Sequence, residues 1–159
     1  MPYPKDAVMQ PVSIALTAAA VAAGLLATAP VAAATSQTDL ADWLSRAAVP
    51  IEAIHKAESE AYAVIAKPGR IDDDKLKTSC GQLHDANEAL RSVMPTPNPQ
   101  LTVEVQQAID NFDSASESCT EYFGAGDDAK LNSFWSLSRD GEQHLSSADT
   151  ILVGLSPSK

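Results

Sequence analysis

From Leu40 to Leu155 the apolar residues recur at alternating intervals of three and four, the spacing of one stripe along an amphipathic helix. The pattern breaks at three places, each rich in Pro, Gly or Asp, and so predicts four helices. The two central stretches show it best. Leu76, Cys80, Leu83, Asn87, Leu90 and Met94 share one face, with Asp72, Asp73 and Asp74 supplying a cap and negative charge at the positive end of the helix dipole. Met94-Pro95 closes this helix, because the residue before proline is pushed out of the helical region. Asn98-Pro99 opens the next, a capping residue followed by proline in the first turn. Its stripe is Leu101, Val105, Ala108, Phe112, Ala115, Cys119 and Tyr122, and Gly124-Ala125-Gly126 stops it.

The outer stretches follow the same rule. Before the central pair, Thr38 or Asp39 caps a stripe of Leu40, Leu44, Ala47, Ile51, Ile54, Ala61 and Ile65. Pro50 lies inside it and predicts a kink, or a split after Val49. Lys67-Pro68-Gly69-Arg70 reads as the exit turn. After the pair, Asp127 and Asp128 cap a stripe of Leu131, Phe134, Ser138, Leu145, Ala148, Leu152 and Leu155. Gly141 falls on that stripe, where it weakens the helix or admits a close neighbour. No stretch alternates with period two and no βαβ pattern appears. The predicted fold is all-α, an up-down-up-down four-helix bundle.

Folding the central pair at its bend brings residues equidistant from the bend face to face. Cys80 and Cys119 are equidistant from the Pro99–Gln100 midpoint, and both lie on their stripes. A Cys80–Cys119 disulfide is therefore expected, worth roughly 4 kcal/mol on loop entropy for a loop of about 40 residues. The alternative is two buried thiols, since free cysteine is a common core residue.

Compartment bears on that choice. No charge appears between Asp6 and Asp39, and Ser13 to Ala34 is mostly Ala, Val, Leu and Gly, ending in Val31-Ala32-Ala33-Ala34. This reads as a secretory signal peptide over residues 1–34, cleaved after Ala33 or Ala34, ahead of a bundle domain over 35–159. Lys5 is the only basic side chain of its start. The competing reading is an uncleaved anchor, because the uncharged run is long enough to span a bilayer. Either reading places the bundle outside the cytoplasm, secreted or in the cell envelope, where a disulfide forms.

The chain carries a net charge of −10, and removing the leader takes away one base, Lys5, and one acid, Asp6. That balance argues against nucleic acid and against anionic membranes as partners, leaving a membrane role only to an uncleaved leader. Catalytic signatures are missing: there is no G-x-S-x-G, H-E-x-x-H, glycine-rich phosphate loop or C-x-x-C. The reading is a non-enzyme without a cofactor.

Three features remain as binding candidates. Tyr62, Tyr122, Phe123, Phe134 and Trp135 fall near the disulfide end of the bundle, where an apolar ligand would sit; as plain core they would simply fill that end. Glu52 and His55 have the Glu-x-x-His spacing of metal-binding bundles, and folding at Pro68-Gly69 puts His84 at the level of His55 with Glu88 one turn on. The bland alternative is a pair of solvated histidines. Finally, Pro99 to Gly126 contains no Lys, Arg or His, and Asp110, Asp113, Glu117 and Glu121 form a stripe opposite the apolar one. That stripe suits a basic or envelope protein partner, or else is a solvated face.

The Ala/Val-rich leader, the two cysteines and the segment Met94-Pro-Thr-Pro-Asn-Pro-Gln-Leu-Thr102 together resemble small exported helical proteins of actinobacteria. The resemblance implies an exported all-helical protein and supplies no site residues. The function expected is that of a protein-interaction module, with a small-ligand or transition-metal carrier as the alternative.

Overall fold

The computed structural model describes residues 36–67 and 71–156. The predicted leader at 1–34 lies outside the described residues, as do Pro68, Gly69 and Arg70 of the predicted exit turn. Four helices follow in order: α1 Gln37–Ile65, α2 Asp73–Ser92, α3 Pro99–Ala125 and α4 Asp128–Leu155. Among the described residues there is no strand.

Helix ends follow local chemistry. The Asp72 side chain accepts the Lys75 backbone N–H at 3.2 Å, Asn98 accepts that of Leu101 at 3.0 Å, and Asp127 accepts that of Ala129 at 2.9 Å. Each satisfies a donor that the first turn leaves without an intrahelical acceptor. Gly126 ends α3 at φ +63°, a left-handed conformation that glycine adopts without a Cβ penalty, and its N–H closes on the Tyr122 carbonyl. The cap of α1 differs from the expectation. Ser36, two residues before Thr38, is the capping residue and accepts the Asp39 N–H at 3.4 Å.

Pro50 does not split α1, which runs unbroken through it. Proline lacks the N–H that would bond one turn back. Here the ring itself is buried, so packing offsets the missing bond. The buried stripe of α1 is Leu40, Trp43, Ala47, Pro50, Ile54, Ala57, Ala61 and Val64. Leu44, Ile51 and Ile65, assigned to the stripe from the sequence, are only partly buried beside it. The helix is thus rotated toward Trp43, whose indole N–H donates to the Val93 carbonyl at 3.0 Å. A buried tryptophan needs such a partner, and this one fixes the azimuth of α1.

Neighbouring helices run antiparallel, as the cross-helix partners show. α1 meets α2 through Trp43 and Val93, and α2 meets α3 where Asn87 Nδ2 donates to Ile109 O at 2.9 Å and to Asp113 Oδ1 at 2.6 Å. On the α3–α4 side, His144 Nδ1 lies 2.8 Å from Glu104 Oε2. The circuit closes between α4 and α1, where Gln37 Nε2 donates to Leu155 O at 2.9 Å and His55 Nε2 lies 3.2 Å from Glu142 Oε1. Between them the helices bury Trp43, Phe112, Phe134, Ile54 and five leucines almost completely. Each such side chain removed from water is worth about 1.5–3 kcal/mol.

One covalent and one steric contact fix how α3 sits against its two neighbours. Cys80 and Cys119 form the expected disulfide, with Cα atoms 6.2 Å apart, inside the range a bridge needs. In α4, Gly141 is buried, and a Cβ built there would stand 2.7 Å from Phe112 Cε1. The ring of Phe112 therefore occupies the volume of a side chain that α4 lacks.

Cys80→Ser should lower stability by about 2–5 kcal/mol in denaturant melts. Replacing both cysteines should cost little more, because the second loses no further bond. Equal melts of wild type and Cys80→Ser would contradict the bridge. Gly141→Ala should destabilise by about 1 kcal/mol, since overpacking against the enclosed ring outweighs the better helix propensity of alanine. In a Phe112→Leu background the same change should become neutral or stabilising, which a double-mutant cycle of urea midpoints tests.

Candidate functional site

The five aromatic residues form two contacting groups, Tyr62–Trp135–Phe134 and Tyr122–Phe123. Phe134 is fully buried and meets Trp135 edge-on at a centroid distance of 4.7 Å. Tyr62 packs on Trp135 at 5.6 Å and Tyr122 on Phe123 at 5.4 Å, both edge-to-face. A shallow depression of about 300 Å³ lies between α1 and α2, lined by Glu60, Val64, Asp74, Lys75, Thr78 and Ser79. None of the five aromatics borders it.

The Glu52, His55, His84 and Glu88 set does not assemble. His55 turns to α4 and pairs with Glu142, whereas His84 stands exposed on α2. Glu88 pairs with Arg91 of its own helix at 3.2 Å, and Glu52 points to solvent. Matching levels on two helices were not enough, because His55 lies on the flank of α1 that adjoins α4 and not on the one that adjoins α2. Among the described residues no group of three His, Cys, Asp or Glu side chains is placed to hold a metal ion.

The acidic stripe of α3 is divided. Asp110, Glu117 and Glu121 are exposed, although Asp110 accepts from Gln106 at 2.8 Å and Glu121 pairs with Lys130. Asp113 departs from the expected position opposite the apolar stripe. It is half-buried against α2, where it accepts from Asn87 and pairs with the Arg91 guanidinium. Asn87 is fully buried, so its amide needs these acceptors.

The cluster that sequence reasoning missed lies between α1 and α4. His55, Glu58 and Tyr62 occupy successive turns of α1, and Trp135, Ser138 and Glu142 do so on α4 in the opposite direction. They meet level by level: Tyr62 on Trp135, Glu58 with Ser138 and Glu142, His55 with Glu142. The signal was available in the three-and-four spacing of both sets, once the outer helices are taken as neighbours. The His55 contact has ion-pair distance but is off the line of an ideal N–H···O bond, and Ser138 Oγ, wholly buried, has no hydrogen-bond partner of ordinary geometry although it adjoins the Glu58 carboxyl.

The electrostatics of the cluster separate its members. Burial pushes the Glu58 carboxyl up to about 10, reinforced by its bond to Glu142 and by the negative charge there, with Ser138 opposing. Glu142 is held below the usual carboxylate range: burial opposes this, but its polar contacts with His55 and Glu58 outweigh it. His55 is raised above its ordinary value, chiefly by its close contact with Glu142 and against desolvation. At neutral pH the seam thus contains a neutral acid, a carboxylate and an imidazole that favours its proton. Such an arrangement can store and exchange protons, since the two carboxyls divide roles by environment. Compared with known proteins, the chain matches no family model, no curated sequence and no solved structure.

The pH dependence follows from the three directions. Glu58 and His55 have folded values above their unfolded ones, so their contributions are complete at low pH and are lost as pH rises through the folded values. Glu142 has a folded value below its unfolded one, so its contribution is present above the ordinary carboxyl range and is lost as pH falls through the folded value. Stability should therefore peak at mildly acidic pH and decline toward alkaline pH. Glu58→Gln, which keeps a donor for Glu142 but cannot ionise, should flatten the alkaline decline. It should exceed wild type at pH ~9 by about 2 kcal/mol, a figure reduced for the partial access of water to the seam. Urea melts followed by circular dichroism at pH ~5, ~7 and ~9 would check this; parallel curves for variant and wild type would refute it.

Proposed function

We propose that the protein is an exported, disulfide-stapled helical bundle that acts by binding a macromolecular partner on its outer surface and not by catalysis. The observation that carries this reading is the filled core. Trp43, Phe112 and Phe134 are enclosed, and the Phe112 ring even takes up the space left by Gly141, so a partner has to be met from outside. The exposed carboxylates Asp110, Glu117 and Glu121 on α3, in a chain of net charge −10, suit a basic protein partner of the cell envelope. Export rests on the apolar leader at residues 1–34 and on its small-residue end. The Cys80–Cys119 disulfide is consistent with a location outside the cytoplasm. No helix among the described residues is long and apolar enough to cross a membrane. The likeness to small exported actinobacterial proteins points the same way.

The carrier reading keeps one observation in its favour. Tyr62 is 42 % exposed while resting on Trp135, so the aromatic end offers some apolar surface to a small ligand.

Native mass spectrometry of the protein taken from the exported fraction of its host separates the two. The interaction reading expects a protein complex that dissociates with rising salt and is lost in the Asp110→Lys, Glu117→Lys double variant, whose helical signal should remain that of wild type. A bound small molecule of constant mass, retained by that variant, would replace this reading with the carrier.

A further inference from the structure

The seam between α1 and α4 is built unlike the other three. The backbones of α1 and α4 stay further apart than those of the other neighbouring pairs. The gap is bridged by side chains at consecutive levels: Tyr62 on Trp135, then Glu58 facing Ser138 and Glu142, then His55 beside Glu142. It carries no covalent link, whereas the α2–α3 pair has the disulfide. The register of the Tyr62–Trp135 and His55–Glu142 contacts sets Glu58 of α1 at the level of Ser138 and Glu142 of α4, so two carboxyl groups meet in the connecting layer. Carboxyl groups brought together away from bulk water resist ionising together unless a cation lies between them. We propose that the α1/α4 seam is a proton-controlled latch, shut while the Glu58–Glu142 pair holds one proton and parted when that proton leaves.

The groups that face the pair set the sequence of events. Those acting on Glu58 are Glu142 and Ser138, both from α4; those acting on Glu142 are His55 and Glu58, both from α1. No group of α2 or α3 is among them. With the proton present, Glu58 donates to Glu142 and His55 balances the single remaining charge. As pH rises, His55 gives up its charge and Glu58 releases its proton. Two carboxylates now face each other with only the neutral Ser138 hydroxyl beside them. The low-cost response is to admit water by separating the helices where their backbones already stand apart. The α1/α2 contact does not share this dependence, because the Trp43 bond to Val93 O involves no group that titrates in this range. Parting should therefore be felt at Trp135, which sits on the seam, and not at Trp43.

The two tryptophans make the test direct. The full oxidised chain labelled with 5-fluorotryptophan gives one fluorine resonance per indole, followed by NMR from acid to alkaline pH. The Trp135 signal of wild type should shift toward its solvent-exposed position above neutrality while that of Trp43 stays in place. Glu58→Gln should leave Trp135 flat over the same range. Ser138→Ala, which removes the hydroxyl that favours the ionised acid, should move the Trp135 midpoint upward by about 0.5–1 pH unit. Should Glu58→Gln fail to fold, the Ser138→Ala shift alone decides, since a merely structural serine would leave the midpoint where it is. A Trp135 signal that moves only together with Trp43, or a midpoint indifferent to these substitutions, would overturn the latch.

Discussion

The bend-and-bridge closure of the central helix pair is the constraint on which the rest of the bundle depends. At one end the chain turns tightly between Val93 and Asn98, where Thr96 is buried and its hydroxyl meets that of Thr102 at 2.8 Å. At the other end Cys80 and Cys119 are bonded. Between them the buried Asn87 side-chain N–H groups meet the Ile109 carbonyl and the Asp113 carboxylate, so α3 has one register in which those donors are satisfied. With both ends and the middle fixed, α2 and α3 form a plate. The outer helices are laid against it, α1 on α2 and α4 on α3.

The outer helices are attached by different means. α1 has a stripe thinned by Ala47, Ala57 and Ala61, which lets its backbone come close to α2, and one indole bond to hold its rotation. α4 is set against α3 by shape, through the Phe112 ring over Gly141, and by the His144–Glu104 pair. Where α1 and α4 meet there is neither a backbone approach of that kind nor a covalent tie, and ionisable and aromatic side chains span the interval. Buried ionic groups contribute less to net stability than apolar packing does, and their removal one at a time is costly because the partner is left behind. The buried carboxyl pair of Glu58 and Glu142 thus lies on the seam least secured by packing.

Much of the fold was legible because its signals are local or symmetric. The helices of the central pair are bounded by Asp72, Asn98, Pro99 and Gly126, residues whose backbone and side-chain preferences act within a turn. The disulfide followed from the distance of each cysteine to the bend. The rotation of α1 was not legible, since Leu44 and Ile51 are as apolar as Leu40 and Ile54. What decided between the two faces was a hydrogen bond from Trp43 to a carbonyl 50 residues away. The His55 and His84 pairing failed for a related reason. Level along a bundle can be counted from the turns, but the flank of the helix that meets a given neighbour depends on the order of helices around the axis. The Glu58–Glu142 contact depends on that same order.

A consequence follows from the notch at Gly141. A ring seated in a missing side chain works as a key in a keyway: it lets the two helices press together yet resists turning of either about its own axis. Ser138 lies three residues before the notch and Glu142 one after it, on the part of α4 directed to α1. The azimuth at which these polar groups are offered is thus fixed from a neighbouring face of the helix by an aromatic residue of α3. A wholly apolar contact in the core, with no charge and no hydrogen bond of its own, determines how two carboxyl groups of the neighbouring seam are made to face each other.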